Sequence, residues 1–311
     1  MYSPKLFSHL AIISANVILG INVPFTKALL ESWLSPFGYI LSRSVSAAVI
    51  FGIIGIVFVH EKIKPKDLAI IALGGLMGFI ISQYLTALSL QYTTPIRFAL
   101  IVALSPIIVM LEAAVFIHEK IKLYKVIGVC FSILGAAVLV LNAHQDTGNI
   151  NEVYGIILAL ISISAYGLYV IIMRDISQKY RPLTQMKWLF LFTTVMALPL
   201  NQGSFFSQPI FTGAPWYVYA EFSFLIVFAT ILSYLLIPYG MHRISATNAS
   251  VYMNFQPVVA AIVSIIMGQD VFTWDKPLAA VLVITGAMIV SLGGKIKIGN
   301  KKPCLNLKAQ I

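Results

Sequence analysis

Residues Ser105–Lys122 read SPIIVMLEAAVFIHEKIK. An offset of 151 lays them on QPVVAAIVSIIMGQDVFT, Gln256–Thr273. Pro106 then coincides with Pro257, Glu119 with Asp270 and, further on, Gly135 with Gly286. Upstream, Gly78 and Ser82 fall on Ala229 and Ser233. An offset of 147 lays Gly20 on Gly167 and Lys27 on Arg174. A proline, an acid and a glycine held at one spacing argue for two related halves. The pentapeptide HEKIK is a different feature. It occurs at His60–Lys64 and His118–Lys122, but its spacing of 58 does not recur, so it is not the repeat unit. Neither copy has a second His four residues on, which excludes a zinc helix of that type.

The 311 residues are 59% apolar and 10% charged, with a mean hydropathy of +0.91. A soluble domain carries about 25% charged residues, so this chain cannot cover a water-facing surface. It reads as an all-α polytopic membrane protein. The net charge of +10 does not point to nucleic acid, which needs a basic patch on a folded domain; here the lysines sit in short gaps between apolar runs. Cys130 lies in an apolar run and Cys304 in a basic tail, giving neither a disulfide framework nor a metal site. No cofactor is implied. The apolar stretch from Leu10 to Leu30 is longer than a signal core and contains Pro24 and Lys27, so it is expected to be the first span.

A hydrocarbon core about 30 Å thick needs about 20 apolar helical residues. Ten such runs are expected: His9–Leu30, Pro36–Val59, Asp67–Leu90, Pro95–Ile117, Tyr124–Leu141, Val153–Met173, Leu183–Leu200, Trp216–Tyr239, Ala246–Gly268 and Lys276–Gly293. Of the 21 Lys and Arg, Lys27, Arg43, Arg97 and Lys187 fall within spans. With the N-terminus in the cytoplasm, Lys276 alone lies on the far side and all the others on the near side. This bias predicts both termini inside and an even number of spans. Five spans per half is odd, so the second half is expected to enter the membrane inverted, a common build for secondary transporters. Lysines of the HEKIK copies then anchor helix ends at anionic headgroups. Residues 6–141 and 153–294 form the two five-helix repeats, and 295–311 a basic cytoplasmic tail.

Several stretches carry a resemblance to a known family. They are GINVPFTK at Gly20–Lys27, Ser35-Pro36 with Arg43 following, TALSLQYTTP at Thr86–Pro95, and LSPIIVMLEAAVFIHEKIKLYKVIGVCFSILGAAVLV from Leu104 with its counterpart from Asn254 to Leu292. The sequence resembles the drug/metabolite transporter superfamily, in particular its EamA-like ten-helix carriers, over roughly residues 6 to 294. The resemblance implies a carrier for small metabolites or drug-like solutes. Two departures stand out: Asp270 replaces the usual Glu, and the seventh span has no counterpart to Arg43, since Lys187 and Leu189 flank that place.

Ionisable and polar groups inside spans are default site candidates. At 100° per residue, Arg97, Ser105, Glu112 and Glu119 fall within about 80° on span 4. Their counterparts on span 9 are Asn248, Gln256, Val263 and Asp270, with Tyr252 joining the stripe. These two faces are expected to line a central path, with Pro106 and Pro257 as hinges. Asn16 and Lys27 share a face of span 1, and Tyr166 and Tyr169 a face of span 6. Gln83, Tyr84 and Tyr234 are further pathway candidates. Lys27, Arg43 and Arg97 lie in the outward halves of their helices and predict a weakly cationic vestibule for anionic or zwitterionic solutes, with Glu221 offsetting one of them; the alternative for Arg43 is a structural ion pair. Glu112 is a candidate for proton coupling. Glu119 is expected to fix the hairpin between spans 4 and 5. The small-residue faces Gly74/Gly78/Ser82 and Gly128/Ser132/Ala136 read as bundle packing.

The function expected is secondary export of a small organic solute by alternating access, in a bacterial inner membrane, with lipids as the other partner. The alternatives are an intramembrane enzyme and a passive pore or structural protein. No H-E-x-x-H, G-x-S-x-G or phosphate-binding G-x-x-x-x-G-K-[ST] occurs, so energy must come from gradients or another subunit.

Overall fold

The computed structural model describes residues 4–58, 61–116, 123–141, 151–201, 205–241 and 255–292; among them there is helix and turn but no strand. Helices α1 (Pro4–Ser32) and α2 (Pro36–Phe58) are continuous. Helix α3 (Pro65–Tyr92) is π-helical over Leu76–Ile81. Helix α4 is broken into Pro95–Val102 and Ser105–Phe116. Then come α5 (Leu123–Leu141), α6 (Glu152–Lys179) and α7 (Pro182–Ala197). Helix α8 runs Trp216–Phe224, turns π-helical over Leu225–Leu232, and continues as Ser233–Met241. Helices α9 (Phe255–Ile266) and α10 (Asp275–Leu292) close the described chain.

Prolines set several starts. Pro65, Pro95 and Pro182 occupy the first turn, where a missing N–H costs nothing. The preceding Lys64, Thr94 and Arg181 are extended, as a following proline demands. Thr94 also caps α4 by accepting from Arg97 N.

Among the described residues five helices are long and apolar enough to cross a membrane: Leu6–Ser32, Pro36–Gly55, Pro65–Tyr92, Glu152–Met173 and Trp216–Ile237. The bent α4 pair makes a sixth when counted as one span. Val126–Gly135, Phe255–Ile266 and Lys276–Gly286 are shorter apolar helices. Span 9 was expected to start at Ala246; residues 242–254 lie outside the described residues. Val49, Ile53, Val115, Ile133, Val195 and Val281 are exposed. Outward apolar faces over a core that contains Arg43 and Arg97 are the arrangement lipid imposes, and the chain is an integral membrane protein.

Helix packing follows a two-repeat rule. Helix α2 packs on α7, α5 on α10 and α4 on α9; α1 packs on α8 and α9, as α6 packs on α3 and α4. Adding five to a first-repeat helix and subtracting five from a second-repeat helix maps this set of pairs onto itself. Gly20 and Gly167, matched in the sequence, occupy equivalent close approaches. A Cβ on Gly20 would lie 2.8 Å from Val259 Cβ of α9, and one on Gly167 2.1 Å from Glu112 Oε2 of α4. The π-helical turns recur too: an offset of 151 lays 76–81 on 227–232, inside the π-helical stretch of α8.

The break in α4 corrects one expectation. Span 4 was read as one helix, putting Arg97 and Ser105 on a single stripe. The two segments meet at about 40°, because Pro106 has no N–H to give to the helical ladder. The angular relation between Arg97 and the residues beyond Ser105 therefore does not hold.

Candidate solute site between the repeats

Arg43 sits two turns into α2 and is buried. Its Nε donates to Thr230 Oγ1 at 2.8 Å, and its Nη1 to Tyr39 OH at 2.5 Å and Gln83 Oε1 at 2.6 Å. The guanidinium also lies 5.0 Å from the Tyr39 ring centroid and 5.4 Å from that of Phe79. Thr230 belongs to the π-helical turn of α8 and gives its own proton to Leu225 O, five residues back, at 2.8 Å. Its lone pair is thus left for Arg43. Tyr39 OH donates to Gln83 Oε1 at 3.4 Å, so its lone pairs likewise face the cation. Helices α2 and α3 of the first repeat and α8 of the second converge here. Aromatic rings extend the cluster: Phe79 meets Phe190 at 5.0 Å and Tyr234 at 6.2 Å, and Phe190 meets Tyr234 at 5.3 Å between centroids.

The vestibule expected from Lys27, Arg43 and Arg97 does not form as one cationic surface. Arg97 is fully buried against fully buried Glu152, with Nη1 donating to Oε1. This ties the start of α4 to the start of α6, and Thr93 Oγ1 adds a 3.5 Å contact to the same oxygen. Lys27 donates to Leu90 O at 2.6 Å and lies 3.6 Å from Glu31; a cation at the last turn of α3 complements its helix dipole. A cleft of about 240 Å³ lined by Lys27, Leu30, Glu31, Leu90 and Gln91 opens there, apart from Arg43 and its partners. Among the described residues Glu221, on the first segment of α8, makes no ion pair with any of the three; Arg97 pairs with Glu152 and Lys27 lies beside Glu31.

Other candidates distribute as follows. Gln256 Nε2 donates to Asn16 Oδ1 at 2.7 Å, joining α9 to α1, and Asn16 Nδ2 donates to Ile12 O at 2.8 Å. Pro257 lies in the first described turn of α9 and is buried. Glu112 accepts from Ser164 Oγ at 2.6 Å, while its Oε2 is buried against Gly167 without a partner among the described residues. Tyr166 and Tyr169 stand 5.6 Å apart, and Tyr169 fills the space beside Gly78. Tyr84 packs on Phe37 at 4.5 Å. Ser105 Oγ donates to Val102 O at 2.5 Å across the α4 break. Asp270 pairs with Lys276 at 2.7 Å and accepts from Val271 N at 2.8 Å in the connection between α9 and α10. Asn248, Tyr252 and Glu119 lie outside the described residues.

A second inter-repeat contact joins the α2–α3 and α6–α7 connections. Tyr180 OH donates to Asp67 Oδ2 at 2.8 Å, and Lys179 Nζ lies 3.3 Å from Asp67 Oδ1. Thr184 Oγ1 donates to Glu61 Oε2 at 2.5 Å, and Arg181 N to the same oxygen at 3.2 Å. The acid of the first HEKIK copy is thus engaged with the other repeat.

Sequence reasoning missed Glu152, Thr230, Tyr39 and Phe79. Glu152 had a signal: it is an acid one residue before span 6, on the side where span 4 brings Arg97. Tyr39 stands four residues before Arg43, one helical turn away.

The comparisons agree with this architecture. The EamA-like transporter family matches the chain twice, over residues 6–141 and 153–292. An uncharacterized transporter of Archaeoglobus fulgidus is 26% identical, covering 83% of this chain and 89% of the relative. The uncharacterized transporter YyaM of Bacillus subtilis is 27% identical, covering 94% and 96%. A probable terminal-alkyne amino-acid exporter of Streptantibioticus cattleyicolor is 25% identical, covering 82% and 83%. A crystal structure at 16% identity shares the fold, with a TM-score of 0.63 over 96% of this chain and 99% of that one. With the family matched over both repeats, the chain belongs to the EamA-like transporter family.

Proposed function

We propose that the chain is a secondary carrier that exports a small organic solute by alternating access. In this reading ten spans form two inverted five-helix repeats, with both termini in the cytoplasm of a bacterial inner membrane. The observation that carries it is the Arg43–Tyr39–Gln83–Thr230 cluster, polar groups of both repeats meeting in a core whose helix pairs obey the repeat exchange. Buried polar groups between repeats near the midplane are where such carriers bind their cargo. The Streptantibioticus relative, a probable terminal-alkyne amino-acid exporter, favours a small polar solute over a drug-sized one. Pro106, at the break in α4, and Pro257 serve as hinges. Glu112, wedged between the repeats, is the group to examine for proton coupling.

The test is solute counterflow into liposomes holding the purified chain. A carrier gives saturable uptake accelerated by the same solute on the far side. Linear, unsaturable flux would mean a pore and end the proposal.

A further inference from the structure

We propose that Arg43 recognises the carboxylate of a small solute whose remainder is apolar or aromatic; this rests on the carrier reading and names its substrate class. Three cations are buried among the described residues: Arg43, Arg97 and Lys276. Arg97 has Glu152 and Lys276 has Asp270. Arg43 has no carboxylate within ion-pair distance among the described residues, and its hydrogen-bond partners there are the neutral oxygens of Tyr39, Gln83 and Thr230. These bonds use Nε and Nη1 of the guanidinium. A buried charge is costly unless paired, and such a charge inside a membrane bundle marks a path for something that completes it.

The chemistry of the missing partner follows from the surroundings. The guanidinium is planar and carries a single charge, and it presents parallel donors that match a carboxylate in bidentate fashion. Among the described residues no second buried cation joins the cluster to meet a phosphate dianion. Tyr39 and Gln83 share Nη1, so both can yield to an entering oxygen while Thr230 keeps Nε. The faces of Phe79 and Tyr39 flank the fork, and Phe190 and Tyr234 continue the aromatic wall. Such a wall accepts an apolar or aromatic body.

The test uses the full chain in liposomes and matched solute sets. Each set shares one aliphatic or aromatic body and carries a carboxylate, a carboxamide, a methyl ester or a phosphonate; half the sets bear an α-ammonium group, which separates amino acids from simple acids as the source of the carboxylate. The acid is expected to be carried about tenfold to a hundredfold more effectively than its amide, the measure of a hydrogen-bonded charged group lost. Arg43→Gln should erase that difference, and Lys62→Gln, at an exposed loop lysine, should leave it. Should Arg43→Gln fail to insert, Arg43→Lys keeps the charge, gives up the fork and should weaken the acid more than the amide. A wild-type preference for amide or phosphonate overturns the assignment and leaves the carrier reading standing. So does undiminished discrimination in both Arg43 variants. Absence of saturable flux for every set overturns both.

Discussion

The pairing of Arg97 with Glu152 makes the sharpest stability prediction. Both side chains have no exposure, and they join α4 of the first repeat to α6 of the second. Glu152→Gln keeps the size of the side chain and one acceptor oxygen but removes the counter-charge, stranding a buried guanidinium. Breaking such a pair costs about 3–5 kcal/mol, and the retained acceptor puts Gln at the lower end. The 3.5 Å contact from Thr93 is too long to add much. Had Arg97 lined a water-filled path, the pair would be solvated and worth about 1 kcal/mol or less, so the two roles differ by a measurable margin. The assay is reversible unfolding in mixed micelles, followed by the fluorescence of the four tryptophans. Arg97→Met combined with Glu152→Leu, which removes both charges, should recover to within about 1 kcal/mol of the wild type. A Glu152→Gln cost below about 1 kcal/mol, or a double variant as unstable as the single, would refute the buried pair and return Arg97 to the solute path.

Three further outcomes are expected. Gln256→Leu leaves Asn16 Oδ1 without its donor and should cost about 1–3 kcal/mol, whereas Asn16→Leu with Gln256→Leu should cost less than Gln256→Leu alone; the reverse order would show that the pair does not act as a unit. Gly78→Ala puts a Cβ 2.3 Å from Tyr169 Cγ, an overpacking worth about 1–3 kcal/mol, and Tyr169→Ala should relieve it in the same unfolding assay. Asp67→Asn, at a pair whose lysine is half exposed, should leave the unfolding midpoint nearly unchanged, yet raise thiol labelling of a cysteine at buried Ile176 in a background free of Cys130 and Cys304. Unchanged labelling would mean that the Asp67 contact does not hold the two connections together.

What the sequence made legible depended on distance along the chain. The 147 and 151 offsets found Gly20 with Gly167 and located the matching turns of α3 and α8, because an internal repeat preserves register whatever the packing. The helical wheel drawn through span 4 failed at the one residue that invalidates a wheel, Pro106, and with it went the grouping of Arg97 with Ser105. Glu152 escaped because span 6 was begun at Val153, an error of one residue that moved a buried counter-ion into a loop. The partners of Arg43 divide in the same way. Tyr39 is local and could have been read from its i, i+4 spacing, whereas Gln83 and Thr230 reach the guanidinium only through the packing of α3 and α8 on α2. The dispersal of the cationic vestibule has this cause too: each cation found its nearest carbonyl or carboxylate, and that choice is made in three dimensions.

The scaffold repeats, but its chemistry does not. Pro36 and Pro182 open α2 and α7 in the same register, so Leu189 itself, and not the place between Lys187 and Leu189, stands opposite Arg43, with Phe190 beside it. The offset of 151 lays Thr230 on Phe79. The contact of α2 with the π-helical turn of α8 therefore joins a guanidinium to a hydroxyl, and the equivalent contact of α7 with the π-helical turn of α3 sets Phe190 and Phe79 edge to face. In a carrier whose repeats exchange conformations, one of these contacts loosens as the other tightens. Parting Phe190 from Phe79 exposes apolar rings. Parting α8 from α2 withdraws an acceptor from a cation that has no carboxylate beside it among the described residues. In the proposed carrier the second motion would be the costlier one without solute, and an arriving carboxylate would lower its cost by supplying the lost acceptor. A ligand shifts an equilibrium only by its differential affinity for the two states. Placing the charge on one of two otherwise equivalent contacts creates that difference for an anion and withholds it from a neutral analogue of the same shape.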